Sequence, residues 1–502
     1  MRKSALLCLI YIGSLSFAYH FGKGFSLAVA ISMSLIVITL WLLKKPFSFF
    51  GLLVCTFLIG VISINILTFR LDSLREAYDG ENLKCEFKIT SIVSDTKAYA
   101  KIKTVENKNQ APYFNVLCEF EKGVFFERGD VISGNLRFQA IKDTGEFSSV
   151  FYNVGNSTSL SATVKNPKLI SSSRLQAFFN SAKSYSIYTL QKYLNKDYAD
   201  LAKGLLLGYT QDLDAEYENM LKNLGIIHIL AVSGLSFSIL IAVLNFILKM
   251  LGVNKIACCI IVAVFSIFYM CITDFTPTVC RAGIMSFFVT FDYMIMRRPD
   301  KITTLAIAGA IMCFINPLTA LNISFQLSFL ATFGVVVGAS YISEPLKLFM
   351  EDKPFEKPVC FILDNIALSS LALCFCFSTI AKSFGQVALL TFIGNLTCAP
   401  LAEVLAIISF LLIPVSILPP YAHILGLIGN GIGFIFNRLC DIFSYTPYNI
   451  SVNSSVLVVM FSVLTAVIGI AFCLPIKRKK EALLLYVFWN ALLSFVFTFL
   501  NL

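Results

Sequence analysis

Long apolar segments separated by short polar ones make up most of the chain. Apolar windows of roughly 20 residues, the length at which a helix spans a bilayer, recur between residues 24 and 500, and a shorter one at 5–17 begins the chain. Hydrophobic residues make up 57% and charged residues 14% of the sequence, and the mean hydropathy is +0.78. These values exclude a soluble globular protein. The pattern predicts a polytopic α-helical membrane protein of about 11 to 13 spans.

The pattern changes between residues 70 and 177, where charged residues, Asn and Ser replace the apolar runs. Apolar residues alternate with polar ones there at a period of two, as in Cys85, Phe87 and Ile89. Turn signals separate these runs, which predicts a small β-rich domain, as in a five-stranded barrel. Four domains follow from this division: N-terminal transmembrane helices at 1–69, the β domain at 70–177, an amphipathic interfacial segment at 178–224 and a polytopic membrane domain at 225–502.

Positive charges predict the orientation of the chain. With Arg2 and Lys3 in the cytoplasm, three crossings place residue 70 on the opposite side, so the β domain is expected to be extracytoplasmic. The basic cluster at 477–480 also belongs in the cytoplasm. That requirement is met when 387–412 forms one broken or re-entrant element.

Two of the 15 cysteines, Cys85 and Cys118, lie in the β domain. An extracytoplasmic domain of a bacterial cell is in an oxidising compartment, so a disulfide is one alternative. Two unpaired core cysteines of a sheet are the other, because sequence does not fix the distance between them.

Basic and aromatic residues interleave in the β domain. Cationic grooves combined with aromatic stacking platforms bind single-stranded nucleic acid. The alternative is an aromatic core surrounded by solvated lysines. The candidate DNA-binding residues are Lys101, Lys103, Tyr113, Phe114, Arg128 and Arg137.

The run at 226–240, IIHILAVSGLSFSIL, places His228, Ser233 and Gly234 in apolar sequence. Polar groups at membrane depth are costly unless they face protein or water, so the run predicts a helix lining an interior or an aqueous path. In a continuous helix, the side chains of His228 and Ser233 point in different directions around the helix axis. This excludes a Ser-His pair. A break at Ser233-Gly234 would free backbone groups to line a cavity, as in transporters. A buried histidine satisfied by a neighbouring carbonyl is the structural alternative.

Polar residues also occur in other predicted spans, notably Arg281, Gln326 and Asn395. Arg281 either snorkels to the interface or faces inward to meet a phosphate. Each polar residue taken singly is typical of helix packing. Together they predict a polar lumen.

Two features that the sequence lacks limit the reactions that this protein could catalyse. The chain has three histidines, too few for a His-rich dinuclear metal site, and it lacks the GxxxxGK[ST] phosphate loop. We therefore expect no catalytic residues, no metal and no cofactor.

Several runs resemble the ComEC family of DNA-internalisation proteins, the inner-membrane channels of natural transformation. The strongest is 205–240, with LLLG, an acidic spacer and HILAVSGL. Three shorter runs are also similar: PTVCRAGIM at 277–285, NP followed by SFQLSFLATFG at 316–334, and FGQ with GN and Pro400 at 384–400. Where the family often has a second histidine, this chain has Ser236. The chain is expected to be a short member lacking the C-terminal metallo-β-lactamase-like domain that many members carry.

The resemblance implies a channel that translocates single-stranded DNA across the bacterial inner membrane into the cytoplasm, with an extracytoplasmic OB-like domain near 70–177. It implies as partners single-stranded DNA, membrane lipid, a separate DNA receptor, and a cytoplasmic motor and single-strand-binding proteins, and it leaves the oligomeric state unknown. The alternatives are a secondary transporter of a small solute and, less favoured, a membrane hydrolase using His228 and Ser233. The implied channel residues are His228, Ser233, Gly234, Arg281, Gln326 and Asn395.

Overall fold

The structure is a computed structural model. It describes residues 3–33 except 21, 23, 27 and 30; 49–142 except 95, 106–113 and 122–125; 149–339 except 231 and 295–299; 356–388 except 385; 391–444; and 449–451. The chain divides into two compact units. The barrel unit comprises Ser4–Lys183 and Gly309–Phe325. The helical unit comprises Ser184–Ala308, Gln326–Leu502 and the first three residues.

The barrel unit begins with two long helices and contains five strands that close into a barrel. The strand order is β1-β2-β3-β5-β4. Neighbouring strands are antiparallel except β3 and β5, which are parallel. Its elements are α1 (Lys3–His20), α2 (Phe49–Tyr78), β1 (Asn82–Ser94), β2 (Lys97–Val105), β3 (Asn115–Glu119), β4 (Val131–Ala140), α3 (Ser149–Gly155) and β5 (Thr158–Ser171).

Alternation along the strands fills the barrel with apolar side chains. Phe87, Ile89 and Phe138 are fully buried there, and the polar residues between them face outward. The β domain was predicted to begin at residue 70, but helix α2 continues beyond that position. Its last turns run to Tyr78 because Leu74 and Tyr78 pack into the barrel core.

The helical unit is built almost entirely from helices, including part of α4, which begins at Arg174. Its elements are α4 (Arg174–Tyr193), α5 (Lys196–Leu207), α6 (Ala215–Asn223), a 3₁₀ turn (Ile227–Ile229), α7 (Gly234–Met250), α8 (Lys255–Ile272), α9 (Pro277–Met294), α10 (Lys301–Ile315), a 3₁₀ turn (Pro317–Leu321), α11 (Ile323–Gly338), α12 (Glu356–Phe384), β6 (Gln386–Ala388), α13 (Thr391–Val415), α14 (Pro419–Ser444) and β7 (Asn449–Ser451). The last residues of α10, the second 3₁₀ turn and the start of α11 belong to the barrel unit.

Four helices in the described part of the chain are long and apolar enough to cross a membrane: Gly51–Tyr78, Lys255–Ile272, Ile362–Ile380 and Ile393–Val415. The chain is therefore a mostly helical membrane protein with a small β region. The span number stays a prediction, because the windows predicted at 456–474 and 482–500 lie outside the described residues.

The element predicted to be broken or re-entrant at 387–412 is instead a short strand, β6, followed by one helix, α13. Pro400 lies inside that helix. Apolar helices tolerate an interior proline when neighbouring groups satisfy the freed carbonyl.

Within the segment predicted as interfacial, 178–224, the apolar face of α5 is covered by protein, since Leu201 and Leu205 are buried in one cluster with Ala402 and Leu405 of α13. Phe178 and Tyr188 of α4 are exposed, so the interfacial assignment of the segment stays a prediction. An amphipathic pattern indicates one apolar face but does not say whether protein or lipid covers it.

Candidate functional site

The run that carries His228 and Ser233 is not one helix. His228 lies in a 3₁₀ turn, and α7 begins only at Gly234. Ser233 has extended backbone dihedrals, and its Oγ accepts a hydrogen bond from the Ser236 N–H at 2.9 Å. Serine in this geometry is a strong N-cap. The continuous helix predicted over 226–240 is therefore wrong, and the alternative of a break at Ser233-Gly234 is confirmed.

Helix α9 holds the broken segment. Thr278 Oγ1 donates a hydrogen bond to the Val232 carbonyl oxygen at 2.8 Å. A carbonyl outside regular helix needs such a partner in an apolar environment. One turn further along α9 comes Arg281.

Arg281 is buried, with 7% of its surface exposed. Its Nη1 donates hydrogen bonds to the Ser328 carbonyl oxygen and to Thr332 Oγ1, both on α11. Its Nε is buried and has no partner among the described residues. Arg281 therefore faces inward, and the snorkelling alternative does not apply.

Gly234 provides the space in which the Arg281 side chain lies. A Cβ atom at position 234 would overlap Nη2 of Arg281. The guanidinium therefore packs directly on the backbone at the N-terminus of α7.

Glu403 of α13 approaches the same turn of α7 through two serines. Its Oε1 accepts a hydrogen bond from Ser236 Oγ at 2.9 Å and a longer one from Ser233 Oγ at 3.5 Å. Its Oε2 is buried without a partner in the described structure. Glu403 was not among the predicted site residues, although a lone carboxylate in an apolar span is a functional signal in itself. Ser236 supplies the hydroxyl that holds Glu403.

Three predicted channel residues lie elsewhere. His228 Nδ1 contacts the Gly225 carbonyl oxygen at 3.1 Å, as the structural alternative expects, but its side chain is exposed and not buried. Asn395 Nδ2 donates to Ser369 Oγ at 3.5 Å. Gln326 is half-buried on α11, two residues before Ser328. The structure thus joins Ser233, Gly234 and Arg281 into one cluster, here called the α7 cluster, which also contains Ser236, Ser328, Thr332 and Glu403.

A buried ion cluster lies on α5, in the run before the α7 cluster. Lys203 is fully buried, and its Nζ pairs with Asp200 Oδ1 at 2.6 Å and with Asp212 Oδ2. Burial by itself lowers the pKa of Lys203, but the hydrogen bonds and charges of the two aspartates outweigh it and raise that pKa overall. The pairs connect α5 to the loop that follows it.

The outer face of the barrel carries some of the predicted DNA-binding residues. Lys101 and Lys103 are exposed on β2, on either side of the buried Ile102, and Arg137 is exposed on β4. In the register of β1 and β2, Lys88 lies opposite Lys101. Arg128 is half-buried in the turn before β4.

The two predicted aromatic platforms do not both stand on that face. Phe114 is 5% exposed and packs in the barrel core, with ring centroids 5.1 Å from Tyr78 and 6.2 Å from Phe138. Its position matches the aromatic-core alternative, since a ring buried between two others offers no free face to a base. Tyr113 lies outside the described residues.

Cys85 and Cys118 are both buried in the barrel core. Burial, and the nearby Cys85, raise the pKa of Cys118. Their pairing stays a prediction. Within the described ranges, no group of three or more His, Cys, Asp or Glu side chains is arranged to hold a metal ion.

Comparison with known proteins gives two matches. A family model described as Competence protein matches residues 205–478, more than half of the 502-residue chain. The curated ComE operon protein 3 of Bacillus subtilis (strain 168) is 26% identical over 168 residues. That match covers 32% of this chain and 22% of the Bacillus protein. No solved structure matches the chain.

Proposed function

The chain belongs to the Competence protein family, the ComEC family, and from this premise we propose that it is a channel that passes single-stranded DNA into the cytoplasm during natural transformation. Membership supports a role in competence DNA uptake. The transported strand, the direction of transport and the inner membrane as its location are parts of the proposal.

The observation that carries the proposal is the α7 cluster. It places the guanidinium of Arg281, the carboxyl group of Glu403 and three hydroxyls around the N-terminus of α7, between helices whose sequences are mostly apolar. A membrane anchor has no use for such groups, which are costly at membrane depth and are typical of a substrate path. A strand with a regular array of phosphates needs polar and cationic partners along that path.

The barrel supports the nucleic-acid part of the proposal. We assign it to the OB type because its strand order, with β1 between β2 and β4 and a parallel β3-β5 pair, is that of a closed five-stranded Greek-key barrel. Lys88 and Lys101 lie opposite each other in the register of β1 and β2, and Lys103 is exposed on the same strand as Lys101. Lysines bind the phosphate backbone of nucleic acids. The candidate DNA-binding residues retained on the surface are Lys101, Lys103, Arg128 and Arg137.

The remaining parts of the proposal follow from the same role. The barrel faces the extracytoplasmic side, where it receives DNA from a separate receptor, and a separate cytoplasmic motor and single-strand-binding proteins draw the strand inward. The protein itself performs no catalysis in this scheme. Domain limits near 70, 178 and 225 also belong to the proposal.

A second candidate is a secondary transporter of a small solute. It is favoured by one observation, that a helix N-terminus stands at the polar cluster, as half-helices do at transporter binding sites. This candidate gives the cationic barrel face no role.

The two candidates are separated by following labelled linear DNA in cells carrying a deletion, Arg281→Ala or Arg438→Ala. Arg438 is an exposed arginine of α14 that lies over the Phe434 ring, and it serves as the matched control. We expect the deletion and Arg281→Ala to abolish internalisation while capture at the cell surface continues, with Arg438→Ala unaffected. Normal uptake in the deletion strain would refute the channel proposal and favour the transporter.

A further inference from the structure

We propose that the N-terminus of α7 and the guanidinium of Arg281 form an anion subsite that binds one backbone phosphodiester of the DNA strand at a time. The inference depends on the proposed function for the identity of the anion. The chemistry of the subsite, an oxyanion held by a helix N-terminus and an arginine, stands on the geometry alone.

The first observation is the unbalanced charge of Arg281. The side chain is 7% exposed, and its hydrogen bonds go to a carbonyl oxygen and a hydroxyl, both neutral. Among the described residues no carboxylate pairs with it, since Glu403 is bonded to Ser236 and Ser233 instead. Buried charges in proteins are normally paired. An anion from outside the described residues would supply the missing partner.

The second observation is which edge of the guanidinium is free. Both bonds to α11 are made by Nη1, whereas Nε is buried and unpartnered and Nη2 lies against Gly234. Nε and Nη2 together form the side-on edge that binds phosphate and carboxylate groups bidentately. Helix α11 therefore fixes the guanidinium through Nη1, while Nε on the other edge has no protein partner in the described structure.

The third observation is the position of this edge at the N-terminus of a 17-residue helix. A helix N-terminus carries partial positive charge and presents N–H groups without intrahelical acceptors. Ser233 Oγ accepts a hydrogen bond from the backbone N–H of Ser236. The backbone N–H groups of Gly234 and Leu235 come before Ser236 in the same first turn of α7. A positive guanidinium beside a positive helix end is repulsive by itself, and an oxyanion between the two is attracted to both.

A phosphate group reaches a membrane protein from DNA or from lipid headgroups. We favour DNA, because Arg281 is enclosed by α7 and α11, and a two-tailed lipid would have to separate packed helices to reach it. A DNA strand, by contrast, carries its phosphodiesters without acyl chains, and under the proposed function it passes the polar groups of the α7 cluster.

The test measures thermal unfolding of the purified full chain in phosphate-free maltoside micelles. Dimethyl phosphate, a single phosphodiester, is titrated against sodium chloride at equal ionic strength. We expect it to raise the Tm of the wild type, because a ligand of the native state stabilises it. In Arg281→Gln the concentration for half the effect should rise about ten- to a hundredfold, the loss expected for a charge-assisted bidentate contact. Arg438→Gln should behave as the wild type.

Two further arms make the test decisive. Arg281→Gln in chloride should unfold at a Tm no lower than that of the wild type, because it removes a buried charge without a counter-ion; a marked fall would show a structural arginine instead. Arg281→Lys keeps the charge but loses the Nε–Nη2 edge, and we expect a response close to that of Arg281→Gln. If phosphatidylglycerol alone gives the full Arg281-dependent rise and dimethyl phosphate adds nothing, the anion is a lipid and the inference is wrong.

The subsite and the channel proposal fail in different ways. An equal dimethyl phosphate response in the wild type and in Arg281→Gln overturns the subsite, whatever the uptake assay shows. A response that depends on Arg281, in a protein whose deletion leaves DNA uptake normal, supports the subsite and refutes its assignment to DNA.

Discussion

The guanidinium of Arg281 lies directly on the backbone of Gly234, at the first turn of α7. Glycine is required there because a Cβ would overlap Nη2. We predict that Gly234→Ala folds but displaces the guanidinium from the helix N-terminus, so that DNA internalisation falls at least about tenfold. The measurement is recovery of labelled DNA from the cytoplasm, normalised to the amount of protein in the membrane.

Gly431→Ala is the matched control. Gly431 lies within α14, and a Cβ there would meet nothing within 4 Å. Alanine in a helix interior is about 0.5 to 1 kcal/mol more favourable than glycine, so uptake should be unchanged or slightly higher with improved expression. Equal losses of DNA uptake in Gly234→Ala and Gly431→Ala would mean that the change in helix propensity causes the loss, and not the displacement of Arg281.

Glu403 and Ser236 form the second contact of this turn, and we predict an asymmetry between them. Glu403→Gln should change the free energy of unfolding by less than about 1 kcal/mol, because the amide oxygen still accepts from Ser236 and the removed oxygen had no partner. Ser236→Ala should cost about 1 to 3 kcal/mol, because it leaves a buried carboxyl group with only the longer contact to Ser233. Reversible unfolding in micelles measures both, and a larger cost for Glu403→Gln would contradict the assignment.

The difference between what the sequence predicts and what it does not is clear at these residues. Apolar windows predicted the helices that include Lys255–Ile272 and Ile362–Ile380, and period-two alternation predicted the β region, because both patterns are local. The break at Ser233-Gly234 was one of two alternatives, and the capping hydrogen bond that decides it requires the fold.

Partners that are distant in sequence were beyond prediction. Glu403 meets Ser236 across 167 positions, and Arg281 meets Thr332 across 51. Burial of Phe114 likewise depends on Tyr78 arriving from a helix that was expected to end earlier. A polar residue in an apolar span indicates that some partner exists, but only packing shows which one.

Lys203 provides a test of stability within the helical unit. Lys203→Met removes the cation between Asp200 and Asp212 and leaves the buried Asp200 carboxylate uncompensated. Breaking a buried pair on one side costs about 3 to 5 kcal/mol. Lys222→Met is the matched control, because Lys222 pairs with Glu218 on the exposed surface of α6 at 3.4 Å. Such a pair contributes about 0.3 to 0.5 kcal/mol, so similar costs for the two variants would contradict a special role for the buried cluster.

Cys118 provides a test of the barrel core. Burial and the neighbouring Cys85 raise its pKa, so little thiolate is present at neutral pH and alkylation of the folded protein should be slow. After unfolding without reductant, both peptides should react fully if the thiols are free. Peptide mass spectrometry gives the result, and peptides that react only after reduction would establish the disulfide alternative.

Lys101 tests the role of the barrel face. Lys101 is exposed on β2, opposite Lys88, and Lys97, which pairs with Glu119 at 3.3 Å on the same barrel, serves as the control. We predict that Lys101→Gln weakens binding of a labelled thymidine oligonucleotide to the full chain. The magnitude of the slope of log affinity against log salt should fall by about 0.7, the value for one phosphate contact on a single strand. Lys97→Gln should leave that slope unchanged, because the charge it removes is already balanced. Since the slope counts phosphate contacts and the affinity at one salt concentration does not, an unchanged slope in Lys101→Gln would remove Lys101 from the DNA path even if binding became weaker.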